Sequence, residues 1–264
     1  MKKLIVLLLL GYAVCAQDAL LVESKAWVSG NPNTPWKFNH TRSVQTLPAY
    51  APLGSVELNK YGSRKDTKTK GTGYYRVEKR SDRWWVIDPE GYLNLQTVLN
   101  SVRPGTSERN ETHLKKLYGN RENWLKATAD SLASYRFTGT GSWSDDVRGI
   151  NRERSQPMSY TPNLNFMSTY GKKRGGTYQL PGNIGYPNQT IFVFDPAFEQ
   201  FCKEHALSLK DRSTDPNLLG VFSDNELPIG LGNLEGYLSL KDDQDPGKIE
   251  AQPWLAARRK TIDE

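Results

Sequence analysis

Polar residues that close apolar runs are where this chain could do chemistry. Asp224-Asn225-Glu226 closes the run Leu218-Leu219-Gly220-Val221-Phe222-Ser223. Asn100 closes a run that begins at Tyr92, Trp143 and Asp145 follow the small, Thr/Gly-rich stretch 137–143, and Tyr170 closes 163–170. A carboxyl at such a place works as a general acid or base if burial and a second carboxylate bring its pKa toward neutrality. A Trp near a strand end can present a flat apolar platform. Each residue also has a plain structural reading: a loop acid or salt-bridge partner for Glu226 and Asp145, a turn residue for Asn100, and core for Trp143 and Tyr170. Other chemistries lack their residues. His40, His113 and His205 are scattered, and no His/Cys/Asp spacing suits zinc. His205 lies on one helical face with Cys202, where packing is expected. The Gly-x-Ser-x-Gly elbow is missing. Gly171–Gly176 lacks the Gly-Lys-Ser/Thr ending of a phosphate loop and is expected to be a solvated loop. Neither a metal nor any other cofactor is expected.

The elements that must position these residues follow from periodicity. Residues 74–78 and 84–88 alternate as strands around the turn Ser81-Asp82-Arg83, and after Pro89-Glu90-Gly91 a third strand, 92–100, is expected. Residues 122–135 carry apolar side chains at helical spacing. Strands are expected at 137–143 and 163–170. Asp195-Pro196 is a good helix start, and Phe198, Phe201, Cys202, His205, Ala206 and Leu209 would line one face of that helix. A buried strand is expected at 218–223 and a helix at 254–259. The order strand, helix, strand, strand, helix, strand implies an α/β fold with parallel pairing. In a (β/α)8 TIM barrel, chemistry sits at the carboxyl ends of the strands, where the polar residues cluster here.

The stretch Leu219–Pro228, an apolar strand ending in Asn225-Glu226, resembles the fourth-strand signature of clan A retaining glycoside hydrolases, and among them the β-agarase families. Arg83-Trp84-Trp85-Val86-Ile87-Asp88-Pro89-Glu90-Gly91-Tyr92-Leu93 is similar to the hairpin that leads into their first barrel strand. The resemblance spans roughly residues 73–260. It implies that Glu226 is the general acid/base and that Asn225 bonds the sugar hydroxyl next to the reacting carbon. Asn100, Trp143, Asp145 and Tyr170 become candidate substrate contacts. The implied substrate is agarose or a related galactan, cleaved with retention. Retention needs a second carboxylate about 5–5.5 Å from the acid, which the clan takes from its seventh strand. The first strand here begins near Tyr92 and the fourth ends near Glu226, so the expectation is an amino-terminal half barrel of about four βα units. It would lack the nucleophile, have two unpaired sheet edges, be poorly stable alone and show no turnover. The alternatives are a non-catalytic carbohydrate-binding protein, a clan A hydrolase of another β-glycan, and a structural surface protein.

Lys2-Lys3 followed by the apolar run 4–10 and by Val14-Cys15-Ala16 reads as a secretory signal peptide, too short to span a membrane. Lipoprotein anchoring at Cys15 is not expected, because Val14 occupies the position where a lipobox has a small residue. The domains expected are 1–16, the signal; 17–73, an extension or partial β-domain; and 74–264, the half barrel. The whole chain has 264 residues with Lys+Arg 35 and Asp+Glu 29, interleaved rather than in blocks, so nucleic acid is not an expected partner. Trp 7, Tyr 13 and Phe 8 argue against a disordered chain. After removal of the signal only Cys202 remains, so stability has to come from packing.

Overall fold

The computed structural model describes residues 20–26, 33–41, 54 and 56–263. The expected signal segment, with Cys15, lies outside the described residues. The chain divides into two units, Met1–Ser55 and Val56–Glu264. In the first, β1 (Leu20–Lys25) pairs antiparallel with β2 (Trp36–Thr41), Leu20 opposite Thr41 and Lys25 opposite Trp36. Asn39 Nδ2 donates to Ser24 Oγ across this pair at 2.6 Å.

The second unit opens with a three-stranded antiparallel sheet of β3 (Arg76–Arg80), β4 (Arg83–Ile87) and β5 (Leu93–Asn94). Residues 56–73 are bonded to this sheet and its turn: Arg64 N donates to Leu93 O and Thr69 N to Gly91 O. Asp88, fully buried in the turn after β4, accepts from Tyr92 N at 2.9 Å and from Asn59 Nδ2 at 2.5 Å. Asn59 Oδ1 in turn receives the amides of Tyr61 and Ser63. The long strand expected over 92–100 is therefore two short ones. Leu93–Asn94 stays with the hairpin, and after Leu95-Gln96-Thr97 the chain enters β6 (Val98–Leu99), which belongs to a different sheet.

That sheet is parallel and carries the remaining architecture. After β6 come α1 (Glu108–Tyr118) and α2 (Arg121–Ser134), then β7 (Gly139–Thr140), α3 (Arg148–Asn151) and β8 (Ser159–Tyr160). Next come α4 (Phe166–Arg174), a small antiparallel pair β9 (Tyr178–Leu180) and β10 (Asn183–Gly185), and α5 (Phe198–Ala206). The chain returns to the sheet at 218–222 and finishes with α6 (Asn233–Leu238) and α7 (Pro246–Asp263). The parallel order is β6, β7, β8 and then 218–222, which joins through the bridges Tyr160–Leu218 and Asn163–Phe222. Between those bridges one side advances three residues and the other four, as a bulge requires. Leu218 therefore packs behind the sheet with Tyr160, while Phe222 stands half-exposed opposite Asn163. The mixed α/β architecture is as expected.

Local chemistry accounts for the helix boundaries. Ser107 caps α1 by accepting from Asn110 N, and Gly119, at φ 78°, ends it. Asn120 then caps α2 by accepting from Asn123 N at 2.8 Å. The buried face of α2, Leu125, Ala129 and Leu132, packs with Val147, Ile150 and Tyr160 into one core. A second core gathers Met167, Tyr170, Tyr186 and Phe192.

Several expected elements need correction. The strand over 137–143 shrinks to Gly139–Thr140. The strand over 163–170 is a bridge at Asn163 followed by α4, and Gly171–Arg174 is the last turn of that helix, not a loop. The helix expected from Asp195-Pro196 starts at Phe198, because the Asp195 carboxylate is taken by Tyr170 Oη and Arg174.

Candidate functional site

Each of the four parallel segments is followed by a non-glycine residue in left-handed backbone: Ser101 (φ 57°), Trp143 (φ 59°), Asn165 (φ 54°) and Glu226 (φ 49°). Side chains pay roughly 1 kcal/mol or more for that region, and such strain gathers at functional rims. Only four other non-glycine residues with positive φ occur among the described residues. Two of them, Asn188 and Gln189, line an open groove of about 370 Å³ with Leu227, Pro228 and Ile229, immediately after Glu226.

The face that β6, β7 and β8 turn away from the helices is set by small residues. Gly139 has no room for a side chain, because Ser159 Oγ and its carbonyl occupy the place of a Cβ. At Gly141 the place of a Cβ is filled by the Asn100 amide, with Val98 beside it. Alternation then puts Gln96, Val98 and Asn100 on the same face as Gly139, Gly141 and Ser159. Ser159 Oγ donates to Gln96 Oε1 at 3.0 Å. Burial raises the pKa of Tyr75, which hydrogen-bonds this same pair, so its hydroxyl stays protonated.

The loops after β6 and β7 are stitched together. Ser101 N donates to Ser142 O, Val102 N to Ser144 Oγ, and Asp145 N to Val102 O. Asp145 itself pairs bidentately with Arg121 at 2.7 and 2.5 Å, tying this rim to the start of α2. Trp143 stands free of the stitch, 41% exposed. Asn163 Oδ1 is buried without a hydrogen-bond partner among the described residues.

Asn225 and Glu226 are exposed, and the peptide that carries them is held on both sides. Before them, Asp224 Oδ1 accepts from Met167 N at 2.8 Å. After them, Leu227 packs on the second core. Beyond, Asn233 Nδ2 donates to Gln189 O and Pro228 O, closing the far side of the groove. Burial raises the pKa of Asp224 despite the Met167 and Ser168 amides and the nearby His205, which pull it down.

Of the residues singled out by sequence, Asn100 and Trp143 stand at the carboxyl ends of β6 and β7, and Asn225 and Glu226 at the end of 218–222. Asp145 is there too, with its carboxylate engaged by Arg121. Tyr170 is elsewhere: it is buried on α4, its ring packs on Phe198 and Phe201, and its hydroxyl donates to Asp195 at 3.1 Å. His205 contacts Leu164 O through Nε2 and stacks on Phe201. Sequence reasoning missed the Gly139/Gly141 pair and gave Asp224, though named with its neighbours, no role of its own. The glycines had a local signal, the Phe137–Trp143 stretch of small residues, whereas the partner of Asp224 is 57 residues away. Among the described residues no three His, Cys, Asp or Glu side chains are placed to hold a metal ion. No helix there is long and apolar enough to cross a membrane.

No protein-family profile matches the chain. It is 22% identical over 270 residues to Beta-agarase B of Vibrio sp. (strain JT0107), over 74% of this chain and 27% of that protein. The crystal structure of BpGH50 superposes with a TM-score of 0.70 at 26% identity, over 91% of this chain and 55% of that one. An exo-beta-agarase structure gives 0.55 at 18% identity, over 78% and 40%. The agarase AgWH50C gives 0.51 at 21%, over 73% and 36%. By sequence and structure the chain is thus related to β-agarases, and it spans about a quarter to a half of the length of these relatives.

Proposed function

We propose that this chain carries the acid/base half of a retaining glycoside hydrolase site that acts on agarose or a related galactan. The observation that carries the reading is the ring of left-handed residues at the four parallel strand ends, with Glu226 as its one uncommitted carboxylate. In this reading 218–222 is the fourth strand of a TIM barrel. Glu226 protonates the glycosidic oxygen as the bond to the anomeric carbon breaks, then takes a proton from the water that completes hydrolysis. Asn225 bonds the neighbouring sugar hydroxyl, Asn100 contributes a second polar contact, and the half-exposed Trp143 stacks on an apolar sugar face. Glu226 is exposed within the described residues, so the water-poor surroundings that general-acid chemistry uses have to come from bound saccharide and from the rest of the site.

The nucleophile is assigned to the part of the relatives' length that this chain does not span. The other acids near the strand tips are engaged, Asp145 by Arg121 after β7 and Asp224, beside Glu226, by the amide of Met167. A signal at 1–16 fits a polymer substrate too large to enter a cell. The same engaged acids favour a second reading, in which the chain binds saccharide without cleaving it.

Reducing-sugar release and affinity for agarose oligosaccharides separate the two. The first reading expects the 264-residue chain to bind oligosaccharide without turnover. It also expects turnover that Glu226→Gln abolishes once the remainder of the relatives' length is supplied, with binding intact. Trp143→Ala should weaken binding about tenfold, or about 1.4 kcal/mol. Sustained release by the 264-residue chain would overturn the placement of the nucleophile, and unchanged turnover in Glu226→Gln would overturn the acid/base role.

A further inference from the structure

The bonds between 218–222 and the entry to α4 do not stop where the strand does. Leu164 N donates to Phe222 O at 2.9 Å, Phe166 N to Ser223 O at 3.0 Å, and Met167 N to the Asp224 carboxylate at 2.8 Å. The last of these is a helix cap supplied from outside. Asn165 stands at the N-cap position of α4, but its backbone is left-handed and its side chain makes no capping bond. The first amides of a helix need an acceptor, and a negative charge suits them. Asp224 supplies both, from the neighbouring strand.

We propose that Asp224 is a positioning residue for Glu226: by capping α4 in trans, it anchors one foot of a short arch whose other foot is Leu227 and whose crown is Asn225-Glu226. Leu227 rests on the core to which the Met167 side chain belongs, so both feet stand on structure that the start of α4 helps to build. The crown is the strained part, with Glu226 at φ 49°, and a strained peptide keeps its shape only where its flanks are fixed. The link also couples the third βα unit to the acid-bearing loop, so a change at the head of α4 reaches Glu226 without touching it. The proposal rests on the acid/base reading of Glu226, whereas the cap itself does not.

The test combines amide hydrogen exchange with affinity for an agarose oligosaccharide in the wild-type chain, Asp224→Ala and Asp224→Asn. Asp224→Ala should speed exchange at Met167 and Ser168 at least tenfold, shift the Glu226 carboxyl carbon resonance and weaken binding about tenfold. Asp224→Asn keeps an acceptor at the same place and should hold all three near wild type. If Asp224→Ala does not fold, the Asp224→Asn result decides, and loss of Met167 protection there overturns the proposal. Faster exchange with an unmoved Glu226 resonance and unchanged affinity would make Asp224 a cap only, and unchanged exchange would remove the cap. If the wild-type chain binds no agarose oligosaccharide while exchange at Met167 and Ser168 still responds to Asp224→Ala, the functional reading fails and the cap survives.

Discussion

Adding one methyl group at Gly139 or at Gly141 should have opposite consequences, although the two glycines are neighbours on one strand face. A Cβ at 139 would lie 2.5 Å from the Ser159 carbonyl oxygen and 3.0 Å from its carbonyl carbon, with Ser159 Oγ closer still. Those are backbone atoms of the paired strand β8, and no rotamer change removes them. Gly139→Ala therefore has to part β7 from β8 at the centre of the parallel sheet. Overpacking of that kind costs about 1–3 kcal/mol. For a unit of this size it should lower the melting temperature by about 2–12 °C. A Cβ at 141 meets only the Asn100 side-chain amide, whose Cγ would lie 3.1 Å away, and then Val98 Cγ2 at 3.7 Å. Asn100 is exposed and can swing out, and Gly141 is not in left-handed backbone. Gly141→Ala should thus be neutral or stabilising by up to about 1 kcal/mol through the unfolded chain. It should also weaken oligosaccharide binding, because the displaced amide is a proposed sugar contact. Thermal and urea unfolding of both variants, with binding measured in parallel, checks this. Equal melting temperatures, or a larger loss at 141 than at 139, would refute the reasoning.

Arg148→Ala removes the guanidinium that bonds Asp146 at 2.7 Å and Asp211 at 2.8 Å. Burial pushes the Asp146 carboxyl up, but the Arg148 bonds outweigh it and hold the group below its ordinary 3.8. A depressed acid stabilises the fold above its unfolded pKa and loses that contribution as pH falls through the folded value. The variant should accordingly be about 0.5–1 kcal/mol less stable at pH 7, allowing for solvent screening. Its deficit should close well below pH 3.8, where a constant gap in urea midpoints would contradict the assignment. Tyr170→Phe should cost about 1 kcal/mol for the lost bond to Asp195 and leave saccharide affinity unchanged, whereas a binding defect would return Tyr170 to the site. Asn59→Ala orphans the amides of Tyr61 and Ser63 and one acceptor site of Asp88. It should cost about 2–3 kcal/mol in chemical denaturation, and a loss under 0.5 kcal/mol would mean that water replaces these bonds.

How much of this was legible in the sequence depended on whether each element carries its own signal. The hairpin of β3 and β4 announces itself, because Tyr74–Glu78 and Trp84–Asp88 alternate around a short turn. The helix α2 is written in Leu125, Ala129 and Leu132. By contrast α1 buries no side chain, and its caps at Ser107 and Gly119 define it. The pattern Leu164-Asn165-Phe166 alternates like a strand, whereas the acceptor that caps the helix beginning there, Asp224, lies 57 residues from Met167, where no local window can see it. The parallel strands β6, β7 and β8 are only two residues long, too short for a period to show. Residue types and run ends put Asn100, Trp143 and Glu226 at strand termini, where the structure has them; Tyr170 was expected at a strand end and lies on α4 instead.

The central claim is that saccharide docks at the carboxyl ends of the parallel strands with Glu226 in contact. Titration of an agarose oligosaccharide into the chain, followed by the Glu226 carboxyl carbon and the Trp143 indole NMR signals, tests it most directly. Both should move together along one saturating curve. Binding that leaves Glu226 unmoved, or no binding at all, would contradict the account.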